Sequence, residues 1–195
     1  EPGGTGRLEQ LPCGRKWGIG GAPDDSGPAG PGANDNASVV GTLLELATAV
    51  RGRQYPFDFV FIAFGDEEVG LVGSKKYVET LAASQRAQIV AMINLDMVGV
   101  GTRMEFGGDP GLVSRAQSAS RQMGYQTGEL SSKLGSSSDH ASFREAAIPV
   151  LFFDSSDDPN YHTTKDTADR VTPIKREQAG KVAPQLLSTR GRCGR

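Results

Sequence analysis

Residues 57–68 read Phe57-Asp58-Phe59-Val60-Phe61-Ile62-Ala63-Phe64-Gly65-Asp66-Glu67-Glu68. The run from Phe57 to Phe64 is rich in Phe, Val and Ile and is bounded by Pro56 and Gly65, the pattern of a strand buried on both faces. Such strands sit in sheets covered by helices, and the flanking sequence supplies them. Val39, Val40, Leu43, Leu44, Leu46, Ala47 and Val50 recur at helical spacing from Ala37 onward. A second helix is expected from about Leu71 to Ala83. Ile89 to Val98 and Ile148 to Phe153 read as further buried strands, the latter after a short helical stretch. Residues 110–123 open on Pro110 and stop before Gly124, as a helix does. A last helix is expected over about Ile174 to Leu187, kinked or ended early by Pro184. Alternating strands and helices predict an α/β fold, three-layer α/β/α, with a central mostly parallel (mixed) sheet.

The remaining segments read as loop. Residues 1–36 hold 10 Gly and 5 Pro without apolar periodicity. Gly107-Gly108-Asp109-Pro110-Gly111 reads as a turn, and the Ser-rich stretch 126–138 as a surface loop. The expected organisation is therefore an irregular segment 1–19, a domain over 20–188 and an irregular tail 189–195. The chain of 195 residues carries 21 Lys+Arg against 23 Asp+Glu, net −2. That balance argues against a nucleic-acid binder, which needs clustered basic charge. Its longest apolar run, Phe59 to Phe64, is far shorter than the roughly 20 residues of a membrane span. No signal peptide is visible at Glu1. Cys13 and Cys193 match no metal spacing; free thiols and a disulfide joining the ends both remain open.

In open α/β sheets, ligands bind beyond the carboxyl ends of the strands. That rule selects Asp66, Glu67 and Glu68 after the first strand, Asp96 in the second, Asp154 and then Tyr161 and His162 after the third, together with Asp35 just before the first helix. Carboxylates with an imidazole suit zinc, and an adjacent carboxylate is the proton acceptor that metal-activated water requires; Glu67 fits that part. Each residue also has a plainer reading: Asp35 as a helix cap, Glu67 and Glu68 as complements to a helix dipole, His162 as a surface histidine. Asp96 is harder to dismiss, because a carboxylate in an apolar strand is costly unless paired or metal-bound. His140, contiguous with Ser138 and Asp139, cannot form a catalytic relay with them and reads as structural.

Taken together, Gly32-Ala33-Asn34-Asp35-Asn36-Ala37-Ser38, Phe61 to Ser74, Asn94-Leu95-Asp96-Met97-Val98-Gly99, Ser138-Asp139-His140-Ala141-Ser142-Phe143, Ile148-Pro149-Val150 and Tyr161-His162-Thr163 resemble the co-catalytic two-zinc aminopeptidases. That family also includes glutamate carboxypeptidases, glutaminyl cyclases and the non-enzymatic transferrin receptor ectodomain. The resemblance runs over about residues 20–174. It implies that Asp35 bridges two zincs, Glu68 and His162 complete one site, Asp96 helps hold the other, Glu67 is the general base and Tyr161 hydrogen-bonds the oxyanion. The substrates implied are peptide or protein N-termini, and the location implied is extracellular or periplasmic.

One motif departs. The family pattern Gly-Ala-His-Tyr-Asp-Ser stands here as Gly21-Ala22-Pro23-Asp24-Asp25-Ser26, so Pro23 replaces a zinc-ligand histidine. Asp24 or Asp25 is a candidate substitute, and one or two zincs are expected. An aminopeptidase, impaired by this loss, is the leading expectation. The alternatives are a catalytically silent binding domain and a one-zinc glutaminyl-cyclase-like enzyme. Against the family pattern both ends read as truncated or altered, since Glu1 to Lys16 lacks strand character and residues 188–195 are rich in Gly and Arg.

Overall fold

The computed structural model describes residues 16–23, 30–130, 138–155 and 157–188. Within them, β1 (Trp17–Pro23), β2 (Asp58–Phe64), β3 (Ile89–Leu95), β4 (Met104–Gly108), β5 (Thr127–Glu129) and β6 (Val150–Asp154) form one sheet in the order β2-β1-β3-β6-β4-β5. Strands β2, β1, β3 and β6 run parallel, β4 is antiparallel to β6, and β5 is parallel to β4. The fold is the expected three-layer α/β/α arrangement around a mixed sheet.

Alternation along the strands builds a core on each face. Ala91, Ile93 and Leu95 of β3 join Leu151 and Phe153 of β6 in a core covered by α1 (Ser38–Val50), α4 (Pro110–Gln122) and α6 (Pro173–Ser188). Trp17, Ile19, Met92 and Val150 join Val78 of α2 (Val72–Thr80) and Phe143 of α5 (His140–Glu145) on the other face. A short α3 (Ala83–Arg86) leads into β3. Asp109 starts α4 by accepting hydrogen bonds from the Gly111 N–H at 3.0 Å and the Leu112 N–H at 3.4 Å, with Pro110 in the first turn.

Several expectations are corrected. Residues 17–23 are not loop but a strand between β2 and β3, so the folded unit begins before residue 20. Gly21 leaves room for bulky neighbours: a Cβ there would lie 2.5 Å from Met92 Cε and 2.9 Å from the Phe64 ring. The turn read at Gly107–Gly111 begins inside β4, and the loop read at 126–138 begins with β5; residues 131–137 lie outside the described residues. Strand β3 ends at Leu95, which puts Asp96 on the carboxyl rim rather than within the strand. Pro184 does not end α6, which continues to Ser188 because Val182, Ala183 and Leu186 are buried in the core around it. Cys13, Asp24, Asp25, Cys193 and the tail 189–195 lie outside the described residues. No helix among the described residues is long and apolar enough to cross a membrane.

Candidate metal centre

Three carboxyl-end loops and one helix entrance meet above the sheet. Phe64, wedged against Tyr77 and Phe143 with ring centroids 5.9 Å apart in both pairs, fixes the end of β2. The chain then turns through Gly65 to Leu71 into α2. This turn is tight because Gly73 packs on Gly65: its N–H donates to the Gly65 carbonyl at 3.1 Å, and a Cβ on Gly73 would sit 2.6 Å from that oxygen. Glu67 and Glu68 ride on this turn. The loop after β6 brings Tyr161 and His162, and the segment Ala33–Ala37 brings Asp35 at the entrance to α1.

His162 Nε2 lies 2.7 Å from Glu68 Oε1 and 3.1 Å from Asp35 Oδ2. Asp35 Oδ2 is buried and accepts no hydrogen bond. These three side chains each aim a donor atom within 4.8 Å of the others. Tetrahedral zinc, with bonds of about 2.0–2.2 Å, holds its ligand atoms about 3.3 Å apart. The donors therefore fit a cation of that size with little movement, and their chemistry, two carboxylates and an imidazole, suits zinc.

Electrostatics agree. Burial pushes the Asp35 carboxyl up to about 7, with the Asp96 and Glu68 charges adding to the shift. Burial likewise raises Asp96 to about 6, against hydrogen bonds from Asn36 and Ser138 that lower it. Carboxylates crowded this way repel one another until a cation joins them. Tyr161 stacks on the His162 ring with centroids 3.8 Å apart. Burial and the charges of Asp35, Glu68, Asp96 and Glu67 all raise its phenol, which stays protonated and able to donate. Backbone strain collects at the same place: Asp66 (φ 59), Met97 (φ 49) and His162 (φ 55) occupy the left-handed region beside Glu67, beside Asp96 and at the imidazole itself.

The structure thus brings Asp35, Glu68 and His162 together, with Glu67 in the same turn as Glu68 and Tyr161 on the ring of His162. Asp96 stands beside them, tied in by Asn36, whose Nδ2 donates to Asp96 Oδ1 at 2.7 Å while its Oδ1 accepts the Met97 N–H at 2.9 Å. Pro23 ends β1 opposite Phe64 and offers no donor atom. His140 is buried and stacks on Phe152 at 4.3 Å, in keeping with a structural role. In sequence Asn36 stands only as a member of the motif before the first helix, with no sign of its tie to Asp96.

The sequence profile of peptidase family M28 matches residues 21–187, the span that carries every one of these side chains. The chain belongs to peptidase family M28. Relatives in sequence include aminopeptidase YwaD of Bacillus subtilis (strain 168), 34% identical over an alignment of 172 residues that covers 81% of this chain and 37% of that protein. Leupeptin-inactivating enzyme 1 of Streptomyces exfoliatus is 38% identical over 130 residues, covering 65% of this chain and 30% of that one. Among solved structures, BSAP, a zinc aminopeptidase from Bacillus subtilis, superimposes with a TM-score of 0.80 at 30% identity over 88% of this chain and 45% of that one. The chain spans less than half the length of these curated relatives.

Within this M28 domain, one buried carboxyl lies apart from the three converging donors. Asp154, at the end of β6, is 7% exposed and its Oδ1 has no hydrogen-bond partner. Burial pushes it up to about 8, with Asp96, Glu105 and Asp35 contributing. A carboxyl held above its unfolded value costs nothing while both states are protonated. The cost grows from pH 4 as the unfolded chain ionises and is complete above pH 8. Asp154→Asn should therefore leave the metal-free protein's stability at pH 4 nearly unchanged and raise it by up to about 5 kcal/mol at pH 8.5, at about 1.4 kcal/mol for each of the roughly four pH units between the carboxyl's ordinary and raised values. Thermal midpoints across that range check the result; an equal shift at both ends would contradict it.

Proposed function

We propose that this domain is a zinc-dependent aminopeptidase that hydrolyses amino-terminal peptide bonds, with one zinc held by Asp35, Glu68 and His162. The observation that carries this reading is the convergence of those three donor atoms around a buried carboxylate oxygen without a hydrogen bond. The zinc aminopeptidase relatives support it. Zinc at that position would make bound water ionisable near neutral pH and polarise the scissile carbonyl. Glu67, in the turn that carries Glu68, accepts the proton of the attacking water and returns it to the leaving amine. The Tyr161 hydroxyl donates to the carbonyl oxygen as negative charge builds there. The acidic rim, Asp96 above all, favours the cationic free amine of a peptide N-terminus.

Pro23 is why a single zinc is proposed: in the family pattern that position supplies a ligand to a second ion, and proline supplies none. Release of leucine from an amino-terminal leucine anilide is expected, lost to a chelator and restored by added zinc. The same substrate with an acetylated amine should resist cleavage. No hydrolysis with zinc present would refute the assignment. Pro23→His should add a second zinc and raise hydrolysis at least about tenfold, if a lost ligand weighs no less than a lost supporting residue. Elemental analysis beside a rate measurement checks this, and a second zinc without a rate gain would refute the explanation.

A further inference from the structure

Asp166 lies four residues after His162 and is 3% exposed. Its two carboxylate oxygens are both engaged: Oδ1 accepts the Asn34 N–H at 2.7 Å and Oδ2 accepts the Asp35 N–H at 3.0 Å. Its main-chain carbonyl accepts the Ala33 N–H at 3.3 Å. Three successive N–H groups thus end on one residue. On its other side, the Asp166 N–H donates to the carbonyl of Thr163, the neighbour of His162, at 3.2 Å.

The segment it grips does not hold itself in regular helix. Asp35 (φ −111, ψ 85) and Asn36 (φ −134, ψ 26) lie outside helical values, so buried N–H groups there need partners from elsewhere in the fold. We infer that Asp166 is a positioning residue: it fastens the backbone of Asp35 to the loop that carries His162 and so sets the distance between these two proposed zinc donors. The inference rests on the zinc reading above. Asp166 holds the Asp35 segment through main-chain hydrogen bonds, and its charge is also felt at the Asp35 carboxyl.

Asp166→Asn replaces one acceptor oxygen by an NH2 donor, which then faces an N–H and leaves it unsatisfied. Zinc affinity, read by competition with a chromophoric chelator, is expected to fall about 10–100-fold, the usual effect of losing a group that orients a metal ligand. Activity at limiting zinc should fall with it and partly recover at saturating zinc. In the zinc-free protein, amide exchange at Asn34 and Asp35 should quicken. Asp169→Asn, at an exposed carboxylate three residues on, should change none of these. If Asp166→Asn does not fold, Asp166→Glu keeps both acceptors one methylene further out and should weaken zinc in the same direction. A folded variant at Asp166 with unchanged zinc affinity overturns the inference, even if its thermal midpoint drops. Failure of the unsubstituted protein to bind zinc would instead overturn the zinc reading and this inference with it.

Discussion

Glu67→Gln should lower the rate of amino-terminal hydrolysis about 10²–10⁴-fold while leaving zinc bound, because it removes the proton acceptor and keeps the shape of the turn. The residue sits between two features that the substitution spares. Its carbonyl accepts the N–H groups of Gly70 at 3.0 Å and Leu71 at 2.9 Å, main-chain bonds that do not depend on the side chain. Glu68, the next residue, keeps its contact with His162. The expected signature is a fall in kcat with unchanged zinc content and a thermal midpoint near that of the parent protein. A loss confined to KM would assign Glu67 to substrate binding, and loss of zinc would place it among the ligands.

His162→Ala should have a comparable effect on rate by another route. The imidazole is the one nitrogen donor among the three converging side chains, and without it Asp35 and Glu68 are left as two carboxylates with no counter-charge between them. Zinc should be lost at micromolar free concentration, and hydrolysis should fall by at least about 10³-fold, since the ion's Lewis acidity and its ionised water go together. The stabilisation zinc gives the folded chain should vanish too, about 4 kcal/mol when free zinc exceeds the dissociation constant 1,000-fold. The check is thermal melting with and without zinc for both proteins. A variant that still gains stability from zinc to the same extent would show that the ion sits elsewhere.

Much of this was legible in the sequence, for identifiable reasons. Phe59 to Phe64 and Val39 to Val50 announce a strand and a helix because their own apolar spacing drives burial. The cluster of Asp35, Glu68 and His162 is legible because Glu68 and His162 follow apolar strands, where polar groups are rarely idle, because Asp35 precedes the first helix, and because the ordered motifs resemble a family. Strand β1 is not legible because its glycines carry no signal of their own; Gly20 leaves room for Phe61 and Gly21 for Met92 and Phe64, and that reason lies in the partners. Likewise β4 is short and ends in two glycines. Asn36 and Asp166 escaped notice because each acts on chain far away in sequence, 60 residues for Asn36 with Asp96 and 131 for Asp166 with Asp35. Local pattern carries no trace of such pairings. At Pro184 the effect runs in the opposite sense: of a kink or an early end, the early end is overridden by burial of Val182, Ala183 and Leu186.

Zinc per chain, measured by elemental analysis after equilibration with a modest excess and removal of free metal, tests the central claim most directly. One zinc is the expected result, held where Asp35, Glu68 and His162 converge. No zinc would contradict the metal reading of those donors, and two would contradict the single-zinc assignment drawn from Pro23.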